Sequence, residues 1–239
     1  MWGLIHYKIT ITIANWQFSC YDFIVDMNNL VQTREHKAEK VAWFLQIVPF
    51  ICFIGLTGSL SYETAKISSD IDFFIVAKQG RIWTCRFFTV VILKFFGLYR
   101  TGDSFKERAG KICPNRYTTD KHLLISPQNR YHAQDYSHMF PLFDNDNIYK
   151  KFLQANQWMQ GYGYLPPTRA LHNIQSAGIL SGLRKVSEWI LLGKLGEQLE
   201  KWAKNFQLKS IMKDDRVNKP DTGLYVDDNE LRFHPKPRK

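Results

Sequence analysis

The stretch that most limits what this chain can become is 54-IGLTGSLSYETAKISSDIDFFIVAK-78. An apolar run stops at Gly58-Ser59. A polar linker follows, and a second apolar run is headed by Asp70-Ile71-Asp72. Acids at i and i+2 of a strand point to one face, and side by side they repel. The usual compensation is a divalent cation, and hard carboxylate oxygens suit Mg²⁺ or Mn²⁺, which typically also take substrate phosphates as ligands. Two such ions about 4 Å apart can activate an attacking oxygen and stabilise a leaving one. Asp70 and Asp72 are therefore the candidate metal ligands and catalytic acids, with Ile71 facing the opposite, core side. As ordinary surface acids they would head a half-exposed strand, but the FFIV that follows has almost no polar alternation. Gly58 allows close backbone approach to a phosphate, and the Ser59 hydroxyl can bond a phosphate oxygen. If a short helix starts after Ser59, its free N–H groups would face the same anion.

The rest of the chain supplies a frame for this pair. With 239 residues, 45% apolar and 15% aromatic, a sizeable core is expected and wholesale disorder is not. Residues 9–13, ITITI, alternate as a short strand. A helix is expected over about 29–48, ended by Pro49, then a buried strand Phe50–Leu56 and a strand Ile71–Ala77. Residues 82–97 have helix length and stop at Gly97, and 98–110 read as a polar, basic loop. The segment 111-KICPNRYTT-119 is a third strand, and its Pro114 predicts an edge position or a bulge. An amphipathic helix is expected over 145–161, a boundary at Pro166-Pro167 and a glycine-weakened helix over 178–207. Residues 209–239 are expected to be a loose basic tail. The domain reading is thus 1–28 uncertain, 29–144 catalytic, 145–208 helical and 209–239 tail.

A net charge of +10 and a pI near 9.4 fit a polyanionic partner, and equally a soluble protein with a lysine-rich surface. Residues 78–116 carry nine Lys/Arg against two acids. That stretch, Lys111 included, is placed to bind a triphosphate or a nucleic-acid acceptor, or to form a solvated rim. Its aromatics Trp83, Phe87, Phe88, Phe95 and Phe96 have helical spacing and read as core. The four cysteines, Cys20, Cys52, Cys85 and Cys113, form no CxxC pair, so no zinc knuckle is indicated and free thiols in a reducing cytoplasm are expected. The N-terminus lacks the basic and small-residue parts of a signal peptide. The uncharged run 41–62 is long enough to span a bilayer, but Gln46, Pro49 and TGSLSY break it, so helix-then-strand is the expectation. His122, His132, His138, His172 and His234 form no metal-spaced pair, and His132 near Asp135 is weak as a dyad.

GSLSYETAKISSDIDFFIV resembles the Gly-Ser, then Asp-x-Asp signature of the DNA polymerase beta-like nucleotidyltransferase superfamily. Over residues 30–160, a little over half the chain, the TGSL turn, DIDFFIV, RIWTCRFF, KICPN and the Tyr149–Pro166 stretch are similar to bacterial nucleotidyltransferase-domain proteins. Such proteins often carry further sequence before this region. The resemblance implies an α+β fold, a small mixed sheet flanked by helices with the metal site on its central strands and a C-terminal helical region. It implies transfer of a nucleoside monophosphate from an NTP to a small-molecule, RNA or protein acceptor, with Asp70 and Asp72 holding metal and Gly58 and Ser59 holding phosphates. Active members usually add a third carboxylate on the following strand. Here the best-placed residue is Asn115, an amide that binds Mg²⁺ weakly and cannot act as a base. Asp120 would substitute in another register, and Asp103 and Glu107 are remoter. The alternatives are a non-catalytic nucleotide-binding module of the same fold with a regulatory protein partner, or a peripheral membrane protein using the 82–97 helix.

Overall fold

A computed structural model describes residues 10–13, 16–62, 64–164, 178–219 and 222–233. The expected boundary at Pro166-Pro167, His172 and His234 lie outside the described residues, as does most of the uncertain N-terminal segment's first part.

The architecture is α+β, a six-stranded mixed sheet flanked by helices. A short hairpin, β1 (Thr10–Ile13) and β2 (Trp16–Ser19), precedes the long helix α1 (Cys20–Leu45). The helix begins nine residues before its expected start at about residue 29. It ends short of Pro49, as a proline requires. The chain then enters β3 (Ile51–Thr57), turns through a 3-10 segment Gly58–Leu60 and returns as β4 (Ile71–Ala77). Both strands are buried along their whole length, which explains their unbroken apolar runs. The uncharged run 41–62 is thus a helix end, a turn and a strand. No helix among the described residues is long and apolar enough to cross a membrane.

After β4 come α2 (Ile82–Phe95), the short α3 (Phe105–Arg108) and β5 (Ile112–Thr119). Then follow α4 (Arg130–Ser137), β6 (Phe140–Asp144), α5 (Ile148–Ala155) and a 3-10 segment Gln157–Tyr162. The expected helix over 178–207 is two helices, α6 (Gly178–Ile190) and α7 (Lys194–Ile211), broken at Gly193, whose φ of +71° suits glycine. The sheet closes with β7 (Tyr225–Val226) and β8 (Glu230–Arg232), in the order β6-β3-β4-β5-β8-β7. Among the strands of the described residues, β4–β5 is the one parallel pairing, and an isolated parallel bridge joins Tyr99 to Ile112.

One expectation is narrowed here and one changes. β5 is not an edge strand, because β8 pairs on its far side. Pro114 instead sits in a bulge, where three residues of β4, Asp72 to Phe74, are matched by four of β5, Cys113 to Arg116. Nor are residues 209–233 loose throughout. β8 is fixed to β5 by a buried ion pair, Arg116 Nη2 to Glu230 Oε1 at 2.9 Å, and Leu231 is fully buried.

Side chains alternate along β4. Ile71, Phe73, Ile75 and Ala77 join the core formed with α1 and α2, including Ala38, Leu45, Ile82 and Trp83. Phe74 and Val76 join the core on the other face, with Tyr136 of α4 and Phe152 of α5. Asp72 belongs to this second parity, opposite Ile71 as expected.

Candidate metal centre

Three pieces of chain meet at the head of β4. The first is the turn after β3. Gly58 adopts φ +71°, and a Cβ built there would lie 2.2 Å from Asp72 Oδ2. The turn thus packs directly on the carboxylate, and only glycine allows both the conformation and the approach. Ser59 lies on this turn, and its carbonyl accepts the Thr64 amide at 3.0 Å. The turn is a single three-residue 3-10 segment rather than the start of a longer helix.

The second piece is the linker that presents Asp70. Its carbonyls are held from outside the strand. Arg34 of α1 donates from Nη1 to the Lys66 carbonyl at 2.6 Å and from Nη2 to that of Ile67. Arg108 donates from Nε to the Ser68 carbonyl at 2.9 Å. The Ile71 amide is bonded to the Lys111 carbonyl at 2.8 Å. These bonds give a loop without its own secondary structure a fixed course, so Asp70 arrives beside Asp72 in one position.

The third piece is β5. Cys113 and Asn115, on either side of Pro114, both reach the carboxylates. The ligand atoms of Asp70, Asp72 and Cys113 all lie within 4.8 Å of one another, a group that could hold a metal ion. Asn115 is buried and donates from Nδ2 to Asp72 Oδ1 at 2.9 Å. Its Oδ1 is buried and has no partner among the described residues. A buried acceptor costs free energy when unmatched, and a cation beside Asp72 would match it. The donor set fits a divalent ion: two hard carboxylates, a soft thiol that a bound metal would deprotonate, and an orphaned amide oxygen.

Two arginine contacts complete the electrostatics. Arg100 Nη1 lies 2.7 Å from Asp70 Oδ2 and 3.7 Å from Cys113 Sγ, while its Nη2 meets Asp103 Oδ1 at 2.5 Å. Burial works to lower the Arg100 pKa, but the Asp70 charge, with smaller contributions from Cys113 and Asp103, more than reverses it. Burial raises the Cys113 thiol well above the usual range, the charges of Asp72 and Asp70 raise it further, and Arg100 opposes them. Asp70, Arg100, Arg108, Cys113 and Asn115 line a cleft of about 440 Å³, and the exposed pair Arg216–Asp214 stands at its margin.

The structure thus brings together Gly58, Ser59, Asp70, Asp72 and Asn115, and it separates the other two sequence candidates from them. Asp120 follows the last residue of β5, and its amide bonds the Ala77 carbonyl at the opposite end of β4. From Asp72 to Ala77 is about 17 Å of strand at about 3.3 Å per residue. Its carboxylate binds the Gln79 amide at 2.8 Å and pairs with Lys78 at 3.5 Å. With β4 and β5 parallel, a residue after β5 cannot return to the head of β4, so Asp120 is not the third acid. Lys111 is near in sequence, but its ammonium bonds the Gly97 carbonyl at the end of α2. Asp103 is committed to Arg100, and Glu107 to the Ser104 hydroxyl. Sequence reasoning missed Cys113 and Arg100. A cysteine one residue before the bulge proline, on the strand expected to carry the third acid, was the available signal for the first.

No protein-family model, curated protein or solved structure matches the chain.

Proposed function

We propose that the chain is a metal-dependent nucleotidyltransferase, moving a nucleoside monophosphate from an NTP to an acceptor with release of pyrophosphate. The observation that supports this reading is the close packing of the Gly58 turn on Asp72, which sets a glycine backbone beside the Asp70–Asp72–Cys113 group. Those three residues would hold the ion. Mn²⁺ suits their mixed oxygen and sulfur donors better than Mg²⁺ does. A divalent ion there would offset triphosphate charge and polarise the reacting phosphoryl group. Gly58 admits the phosphate chain to the turn, and the Ser59 hydroxyl donates to a phosphate oxygen. Arg108 and Arg216, at the margin of the cleft, stabilise the charge that develops on the departing pyrophosphate. Asn115 positions Asp72 and takes no proton. The carboxylate that lines the open cleft and can accept the acceptor's proton is Asp70.

A second reading rests on a specific contact. Arg100 already neutralises Asp70, and an amide occupies the place where a third carboxylate is expected. Both favour a nucleotide-binding module without turnover. Transfer of label from α-labelled NTPs, with Mg²⁺ or Mn²⁺, onto the protein itself, RNAs and metabolites decides between them. The Asp70→Asn/Asp72→Asn variant is the control. Transfer that the variant loses supports the enzyme. Metal-dependent NTP binding without transfer supports the module, and the absence of both transfer and binding removes both readings.

A further inference from the structure

The cleft at the carboxylates opens into a longer groove. It shares Arg100, Cys113, Asn115, Arg216 and Phe233 with a pocket of about 290 Å³. That pocket shares Arg86, Tyr99, Ser210 and Ile211 with a third, of about 820 Å³, between α2 and α7. The three are contiguous and run from Asp70 across the α2–α7 face. Their charge is one-sided. The acids Asp70 and Asp103 both pair with Arg100, and Asp214 pairs with Arg216. The outer pocket has no acid, but it has Arg86, Lys94, Lys209 and Lys213.

Aromatic rings alternate with these cations. The Arg86 guanidinium lies 4.7 Å over Phe233, and the Lys94 ammonium 5.4 Å over Tyr99. Phe206 stacks on Trp202 with centroids 5.4 Å apart and planes 11° from parallel, and both are at least half exposed. The Arg86 Nε is buried with no partner among the described residues. Of the α2 aromatics, Phe87 lines the groove, Trp83 is core, and the exposed Phe95 packs against Phe96 and is not among the groove's lining residues.

We propose that this groove is the acceptor's track and that the acceptor is a single-stranded nucleic acid whose reacting end lies at Asp70. The inference rests on the transferase reading above. Phosphates spaced along a flexible strand match cations spaced along the groove, and bases that are free of a partner strand stack on exposed rings. A duplex hides those base faces, so the rings would go unused.

Fluorescence anisotropy with a labelled single-stranded RNA of about 12 nucleotides, in EDTA and without NTP, tests the track on the full chain. Lys94, Lys209 and Lys213 are exposed, so Lys94→Gln/Lys209→Gln/Lys213→Gln leaves the core untouched. The expected results are salt-dependent binding by the native chain, at least about tenfold weaker binding by the triple variant, and a log–log salt slope shallower by about 2, at about 0.7 per phosphate contact. Asp70→Asn/Asp72→Asn, which removes two negative charges at the end of the groove, should bind the strand at least as tightly as the native chain does. No binding at low salt, equal affinity for duplex, or an unchanged triple variant overturns the proposal. So does salt-sensitive pelleting with phosphatidylserine vesicles in place of RNA binding, which would make this face a membrane surface. Because no metal or nucleotide is present, failure of the track is read separately from failure of the metal centre, which metal titration reports.

Discussion

Replacing Gly58 by alanine puts a methyl group 2.2 Å from Asp72 Oδ2, about 1.2 Å inside the 3.4 Å at which ordinary contact begins. Two costs follow. Alanine at φ +71° costs roughly 1–2 kcal/mol. The carboxylate must also retreat by about 1 Å, which breaks the 2.9 Å bond from Asn115 Nδ2, and a hydrogen bond to a charged group is worth about 1.5–3 kcal/mol. Together these give a loss of about 2.5–5 kcal/mol, or a fall in Tm of roughly 5–20 °C for a chain of this size. In an Asp72→Ala background the carboxylate is gone and only the backbone cost remains, so the same substitution should cost about 1–2 kcal/mol. The difference, a coupling of about 1.5–3 kcal/mol, is measurable by urea unfolding of the four proteins of the cycle in EDTA. Equal costs in both backgrounds would refute the claim that the turn and the carboxylate form one unit.

Other consequences concern the wider structure. If Cys113 is a ligand, Co²⁺ titration should develop a thiolate-to-metal absorption band that Cys113→Ser abolishes, and an unchanged spectrum would remove Cys113 from the metal centre. Glu230→Ala leaves Arg116, whose side chain is 2% exposed, without its partner. The expected loss is about 3–5 kcal/mol, and a melting temperature within about 1 °C of native would show that β8 is not fixed as described. Burial acts to raise the Asp228 pKa, but bonds from Lys204 and the Trp83 indole at 2.7 and 2.8 Å outweigh it and hold the carboxyl below its usual range. A depressed pKa means that the contribution is complete above the unfolded value, near 3.8, and is lost as pH falls through the folded one. Asp228→Asn should flatten the acid limb of a stability–pH profile, and an unchanged limb would contradict this.

Local signals were the legible ones. β4 is Ile71–Ala77 in the sequence reading and in the structure, because an acid pair and Gly80 bracket an unbroken apolar run. The end of α1 before Pro49 and the start of α2 at Ile82 were equally local. What escaped was set by distant pairing. β8, Glu-Leu-Arg in a charged segment, is a strand only because β5 presents Arg116 to Glu230. β6, Phe140–Asp144, is short and holds Pro141, and its place beside β3 depends on a register shift. At the site, the Gly58, Asp70 and Asp72 set could be read because two local motifs carry it. Asp120 failed because nothing local reveals that β4 and β5 are parallel, and so which end of β5 lies at the carboxylates. Cys113 had a local signal in the neighbouring Pro114, whereas Arg100 is brought to Asp70 by a loop whose course has no signature in composition.

The central claim is that Asp70, Asp72 and Cys113 hold a divalent metal that engages an NTP. Mn²⁺ titration followed by electron paramagnetic resonance, with and without NTP, on the native chain and on Asp70→Asn/Asp72→Asn, tests it most directly. The account predicts that the native chain depletes free Mn²⁺ beyond what NTP alone binds, more strongly when NTP is present, and that the variant does not. Superimposable titrations of the two proteins would contradict it.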